Sequence, residues 1–260
     1  MILALDVGNT CTVIGGFKDG SLVFKASIES ARAKTEYEYA ATIHSIITLH
    51  GIKPENVTGA IISSVVPKLS ITIKKALKFI FGVDALTVGP GVKTGLKLRC
   101  DDPSSVGADL VCAATAASSL YPCPCLIIDM GTATKMIYIN SNGDFEGVVI
   151  TAGIGISLDA LIKCTSLLPE VTLEAPKKII GKNTADSIRS GAIYSAASML
   201  DGMIERIFEE TGENLNIIGT GELISQIAPH CKHSFRIDEN LLLRGLNIIY
   251  NKNSTQKRSF

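Results

Sequence analysis

The chain has 260 residues, with 25 Lys and Arg against 25 Asp and Glu and a pI near 6.9, a balance that leaves no basic footprint for nucleic acid or an anionic membrane. At 46% hydrophobic and 19% charged residues, with mean hydropathy +0.31, it has ample apolar area to bury and is not a disordered segment. Aromatic residues make up 5% and Trp is absent, so the core is expected to be aliphatic.

Residues 2–5 form a short apolar run that stops at Asp6, and 12–17 form a second, closed by the hairpin turn signal Asp19-Gly20. Residues 21–26 read as a third strand. Helical spacing follows over 36–50, with Thr35 as N-cap and Gly51 as stop. A buried strand is expected over 59–66, ended by Pro67, then a helix over 70–81 and a short strand over 85–88. Residues 95–109 are irregular and rich in charge, Gly and Ser, and 108–120 are a small-residue helix suited to close packing. Strands are then expected over 126–128, 135–139, 147–150 and 216–219, and helices over 156–167, 184–210, 222–228 and 239–250.

No apolar leader precedes Asp6, and no apolar run approaches the ~18–20 residues that span a bilayer. The seven cysteines have no framework-like spacing, so reduced thiols and a cytoplasmic location are expected. Cys123-Pro124-Cys125 lacks a second Cys pair or a nearby His and is read as packing, not as a metal site.

The pattern restarts halfway. Asp6-Val7-Gly8-Asn9-Thr10 and Asp129-Met130-Gly131-Thr132 share the frame Asp-x-Gly-[Asn/Thr], each after an aliphatic strand and each opening a hairpin. A duplicated α/β unit is the simplest account, with like domains over 1–118 and 119–252 facing one cleft and a flexible tail over 253–260. The chemistry suits such a hairpin. A carboxylate at the end of a buried strand is costly unless water, a cation or a ligand meets it. The Gly admits a ligand close to the backbone, and the polar turn can form an anion nest for phosphate oxygens. The Asp can hold a hydrated divalent ion that neutralises phosphate charge. Two facing copies would clamp a nucleotide polyphosphate and its metal.

These two loops resemble the phosphate loops of the actin, hexokinase and acetate kinase superfamily. More narrowly, the chain resembles the type III pantothenate kinases. The stretches that carry the resemblance are Leu5-Asp-Val-Gly-Asn-Thr10, Ser63-Ser-Val-Val-Pro67, Asp102-Pro103 with Val106-Gly-Ala-Asp109, Asp129-Met-Gly-Thr-Ala-Thr134, and Ile180-Gly-Lys-Asn-Thr184 with Ser190-Gly191. The resemblance implies two actin-like (ribonuclease H-like) domains around a central cleft, and ATP-dependent phosphorylation of pantothenate at the start of coenzyme A biosynthesis. It implies that Asp6, Val7, Gly8, Asn9, Thr10, Cys11, Thr12 and Val13 contact the ATP phosphates, with Asp6 near magnesium through water, and that Thr132 touches the nucleotide. Asp129 would hold a monovalent cation, K+ or NH4+. Gly107, Ala108 and Asp109 would lie on the acceptor, with Asp109 as the base for its primary hydroxyl. Thr184 would reach the acceptor site, completed across a homodimer interface.

Read without the family, Asp109 is more simply an N-terminal helix charge favoured by the dipole, and Thr184 is equally a helix N-cap. Ser63 reads as part of a buried strand and Cys11 and Cys112 as small packing residues. The sequence departs from the family pattern near the acceptor. The family has Arg directly after the catalytic Asp, where this chain has Leu110, and usually Tyr where it has Cys100. Lys135 stands where the family has Thr, and Glu146, Ala152 and Glu222 stand where Gly, Pro and Gly are usual. Lys93, Lys97 and Arg99 are the candidates for replacing the missing charge. A related kinase with another acceptor, or a catalytically weak nucleotide-binding paralogue, are the alternatives to a working pantothenate kinase.

Overall fold

A computed structural model describes residues 1–254, in two units: residues 1–120 with the chain from 240 onward, and residues 121–239. Each unit holds one five-stranded sheet.

In the first unit, β1 (Ile2–Val7), β2 (Cys11–Lys18) and β3 (Ser21–Glu29) form an antiparallel meander. After helix α1 (Glu36–Leu49), β4 (Gly59–Ser64) returns parallel to β1. After α2 (Pro67–Phe81), β5 (Leu86–Thr87) adds in parallel outside it, for the order β3-β2-β1-β4-β5. Both faces are covered, because β1 alternates between two apolar sets. Leu3, Leu5 and Val7 pack with Ile43 and Ile47 of α1 and Ile73 and Leu77 of α2. Ala4, on the other face, packs with Cys112 of α3 (Ala108–Leu120) and Leu243, Leu246 and Ile249 of α7 (Leu241–Ser254). Asp6 shares that second face by the two-residue period of a strand.

Local signals explain the helix ends. Thr35 and Glu38 close a reciprocal capping box on α1. The second helix starts at Pro67, three residues before the expected position, since proline is preorganised for the first helical turn and Ser64 Oγ accepts from Val66 N at 3.0 Å.

The second unit repeats the plan. β6 (Cys125–Met130), β7 (Ala133–Ile139) and β8 (Phe145–Ala152) form a meander, followed by α4 (Ile154–Lys163) and the long α5 (Thr184–Thr211). β9 (Asn216–Thr220) is parallel to β6, and after α6 (Ile224–Ile227) the two-residue β10 (Arg236–Ile237) is parallel to β9. The order β8-β7-β6-β9-β10 matches that of the first sheet, strand for strand and direction for direction. The duplication expected from the two Asp-x-Gly loops is therefore a duplication of topology.

Two expectations shift. The sequence reading carried the second half through residue 252, whereas α7 packs on β1, β4 and α3 of the first unit. An amphipathic stripe says that a helix is buried, not which sheet buries it. Asn253 and Ser254 of the expected tail are helical, and 255–260 lie outside the described residues. Strand β10 escaped the sequence reading because two exposed residues carry no periodicity.

A buried carboxylate and the donors around it fasten the chain after α6 to α5. The buried Asp201 carboxylate accepts from Lys232 N at 2.9 Å, from His233 N at 3.3 Å, and contacts His233 Nδ1 at 3.0 Å. Burial alone would raise its pKa, but these bonds outweigh burial and hold it below the usual carboxylate value. A lowered folded pKa gives stability that is present above the ordinary carboxylate range and is lost as pH falls through the lowered value. Asp201→Asn is expected to cost about 2 kcal/mol near neutral pH. That difference from wild type should close in acid, as urea denaturation at stepped pH would show.

Candidate active site

The two hairpins are built alike. Each opening strand has six residues with Asp in fifth place, so Asp6 and Asp129 end buried aliphatic runs at equivalent positions. In the first hairpin Asp6 lies opposite Val13 on β2 and Ser63 on β4. Gly8 N donates to Cys11 O at 3.0 Å and closes the turn. Neighbours fix its outer side: Ser30 N donates to Thr10 O at 2.9 Å, the Thr12 and Ser30 hydroxyls meet at 2.8 Å in a buried bond, and Arg32 Nη2 donates to Asn9 Oδ1 at 3.1 Å. Asn9 and Thr10 are left exposed on a turn whose shape is set before any ligand arrives.

Helix α3 brings Asp109 to the same face of the first sheet. The Cys112 thiol, one turn along α3, is fully buried, and its pKa is pushed well above the usual thiol value by burial and then by the charges of Asp6 and Asp109. Both carboxylates therefore lie within electrostatic reach of one sulfur. Ser63 completes the group; among the described residues its buried hydroxyl has no oxygen or nitrogen partner and only the weak reach of that thiol. The sequence reading took Ser63 and Cys112 as packing residues, and the structure sets each beside a candidate functional carboxylate, Ser63 opposite Asp6 and Cys112 one turn along the helix from Asp109. Their signal was register: Ser63 pairs with Asp6 across parallel strands, and Cys112 stands three residues after Asp109 on a helix. Gly107 makes room for the carboxylate, since a Cβ there would lie 2.4 Å from Asp109 Oδ1.

Acceptor-side residues are more mixed. Leu110 is 7% exposed and packs into the unit. Cys100 is a half-buried free thiol on the loop before α3, where Lys93, Lys97 and Arg99 are exposed. Helix α7 pins that loop: Asn253 Nδ2 donates to Lys93 O at 2.9 Å, Lys93 N returns a bond to Asn253 Oδ1 at 3.1 Å, and Lys252 Nζ donates to Thr94 O at 2.7 Å.

In the second hairpin Asp129 lies directly opposite Lys135, and Lys135 Nζ meets Asp129 Oδ2 at 2.7 Å, with side chains 16% and 14% exposed. The turn leaves Thr132 exposed while its carbonyl accepts from Gly153 N at 3.1 Å. Gly221 packs on the other side, with φ +93° and with no space for a Cβ, which would fall 2.6 Å from Met130 backbone atoms. Glu222 beside it is exposed, and Glu146 accepts from Asn140 Nδ2. Thr184 is the first residue of α5, not its cap: Asn183 is the N-cap and accepts from Asp186 N at 2.8 Å. Thr184 lies on the rim of a pocket of about 580 Å3 with Thr134, Thr151, Leu158 and Met199.

Comparison with known proteins agrees with this architecture. The chain matches the type III pantothenate kinase family over residues 2–206. It is 40% identical over 253 residues to a type III pantothenate kinase of Halalkalibacterium halodurans, covering 97% of this chain and all of that one. It is 39% identical, with the same coverage, to a type III pantothenate kinase of Anaeromyxobacter sp.. Among solved structures, a 2-dehydro-3-deoxygalactonokinase protein of Sinorhizobium meliloti superposes with TM-score 0.62 at 10% identity, covering 97% of this chain and 96% of that one, which shows a shared fold. With two sheets of one topology, each opening on an Asp-x-Gly hairpin, and relatives at this identity along nearly its whole length, the chain belongs to the type III pantothenate kinase family.

Proposed function

We propose that Asp109 is the base and that the Asp6 and Asp129 hairpins hold the nucleotide in the family's reaction. That reaction is the ATP-dependent phosphorylation of pantothenate to 4'-phosphopantothenate, in coenzyme A biosynthesis. The observation that carries the assignment is that Asp6, on the Ala4 face of β1, and Asp109, on the helix packed against that face, share one side of the first sheet, because a kinase needs a phosphate-side carboxylate and an acceptor-side carboxylate on one face. Asp109 takes the proton from the primary hydroxyl as its oxygen attacks the γ-phosphorus, and the bond to the β–γ bridging oxygen breaks to release ADP.

Asp6 fits a divalent ion held through water: it is a half-buried carboxylate at a strand end beside a polar turn. Magnesium bound with ATP supplies neutralisation of phosphate charge. The residues from Val7 to Val13, and Thr132, contact the phosphates and nucleotide. Gly107, Ala108 and Thr184 line the acceptor, with Thr184 acting in a homodimer. Among the described residues no helix is long and apolar enough to cross a membrane.

Acceptor affinity is where this chain departs. A charge-assisted bond to pantothenate's carboxylate contributes about 1.5–3 kcal/mol, or 10- to 100-fold in affinity, and Leu110 cannot make it. Steady-state ADP release with magnesium and a panel of pantothenate and related alcohols tests the function; turnover of another alcohol but not pantothenate would replace the acceptor. In the same assay Leu110→Arg is expected to lower KM for pantothenate about tenfold with kcat little changed. Melting is followed alongside, because Leu110 is 7% exposed. An unchanged KM would move carboxylate recognition to the loop bearing Lys97.

A further inference from the structure

We propose that the Lys135 ammonium serves as the counter-charge at Asp129, so that this chain binds nucleotide and turns over without a free monovalent cation. The inference rests on the reading of Asp129 as the nucleotide-side carboxylate of the second hairpin. A carboxylate 14% exposed at the end of an apolar strand needs a positive charge, and the ion-pair geometry already provides one at 2.7 Å. The donor set does not fit a separate K+ or NH4+. One of the two carboxylate oxygens, Oδ2, carries an ammonium at contact distance, and a second cation beside it would meet a like charge.

The lysine is not demanded by the fold. The equivalent place in the first hairpin, opposite Asp6, is Val13, so the strand pair forms equally well with an aliphatic residue there. What Lys135 adds is a tethered charge of the same sign and valence as the ion it displaces. Being covalently attached, it is present at any salt composition, whereas a free ion must be recruited by mass action. Its carrier strand runs straight out of the Thr132 turn, so the charge is fixed to the same hairpin that meets the nucleotide.

The test uses the full chain with two readouts, ATP affinity by calorimetry and initial rates with magnesium, ATP and pantothenate. Each is measured in tetramethylammonium, potassium or ammonium chloride at matched ionic strength. For the wild type, both are expected to agree within about twofold across the three salts. For Lys135→Thr, ATP affinity should fall about tenfold or more in tetramethylammonium and return with potassium or ammonium, which a merely structural lysine would not produce. Lys135→Gln, closer in length, repeats the test if the threonine variant does not fold.

A wild type whose ATP affinity rises about tenfold with potassium overturns the proposal, as does a folded variant that no cation rescues. Absence of turnover with pantothenate in every salt would instead overturn the kinase reading, while the calorimetry would still decide the role of Lys135.

Discussion

Asp109→Asn is expected to lower turnover by about 10²- to 10⁴-fold while leaving the dissociation constant for ATP within about twofold of wild type. Asparagine keeps the shape of the side chain and its place in the first turn of α3 but cannot accept the hydroxyl proton. The nucleotide contacts assigned to the hairpins stand on other elements, β1, β2 and the turn after β6, and should not feel the change. Rapid-quench rates with saturating ATP and pantothenate, set beside calorimetric ATP binding, separate the two effects. An asparagine variant retaining near wild-type turnover would remove Asp109 as the base and leave it as a helix-dipole charge. A variant losing ATP affinity in step with rate would make it a nucleotide ligand.

The second large effect is structural. Gly245 on α7 faces α3 so closely that a Cβ would lie 1.9 Å from Cys112 O and 2.7 Å from Cys112 C, both backbone atoms. No side-chain rotation relieves that clash, so Gly245→Ala must push two buried helices apart. Overpacking of this kind costs about 3 kcal/mol, and the helix displaced is the one that carries Asp109 and Cys112. Loss of stability in urea and loss of activity should therefore arrive together. Gly202→Ala is the control: on α5 its Cβ meets only the end of the Arg206 side chain at 3.3 Å. That change should be neutral or stabilise by up to about 1 kcal/mol through helix propensity. Equal destabilisation by both substitutions would show that the α3–α7 contact has no special role.

How far the sequence could be read varies with the range of the interaction that decides each feature. The strands of both hairpins, the α1 cap at Thr35 and the start of α3 at Ala108 follow from neighbours a few residues apart, and they were legible. The family motifs also singled out Asp6, Asp109 and Asp129 as candidates. What could not be read depends on partners far along the chain. That α7 closes the first sheet requires knowing which of two similar sheets has a bare face. That Cys112 packs against the strands carrying Asp6 and Ser63 requires the packing of α3 on β1 and β4. Lys135 is an intermediate case. It registered as a departure from the family, while its meaning came from the hairpin: Asp129 and Lys135 are equidistant from Thr132 and must face each other across the antiparallel pair. Thr184 shows the opposite failing, since a short-range reading made it a candidate cap and the neighbouring Asn183 takes that place.

The return of α7 to the first sheet also orders events during synthesis. Residues 121–239 form a contiguous unit that can fold as soon as they clear the ribosome. The first unit, although its sheet is made first, has one apolar face without its full cover until residues 241–254 are released. The unit that bears the proposed base is thus completed after residues 121–239, and a chain cut short before Leu241 would leave the ribosome with the Asp109 helix lacking its packing partner.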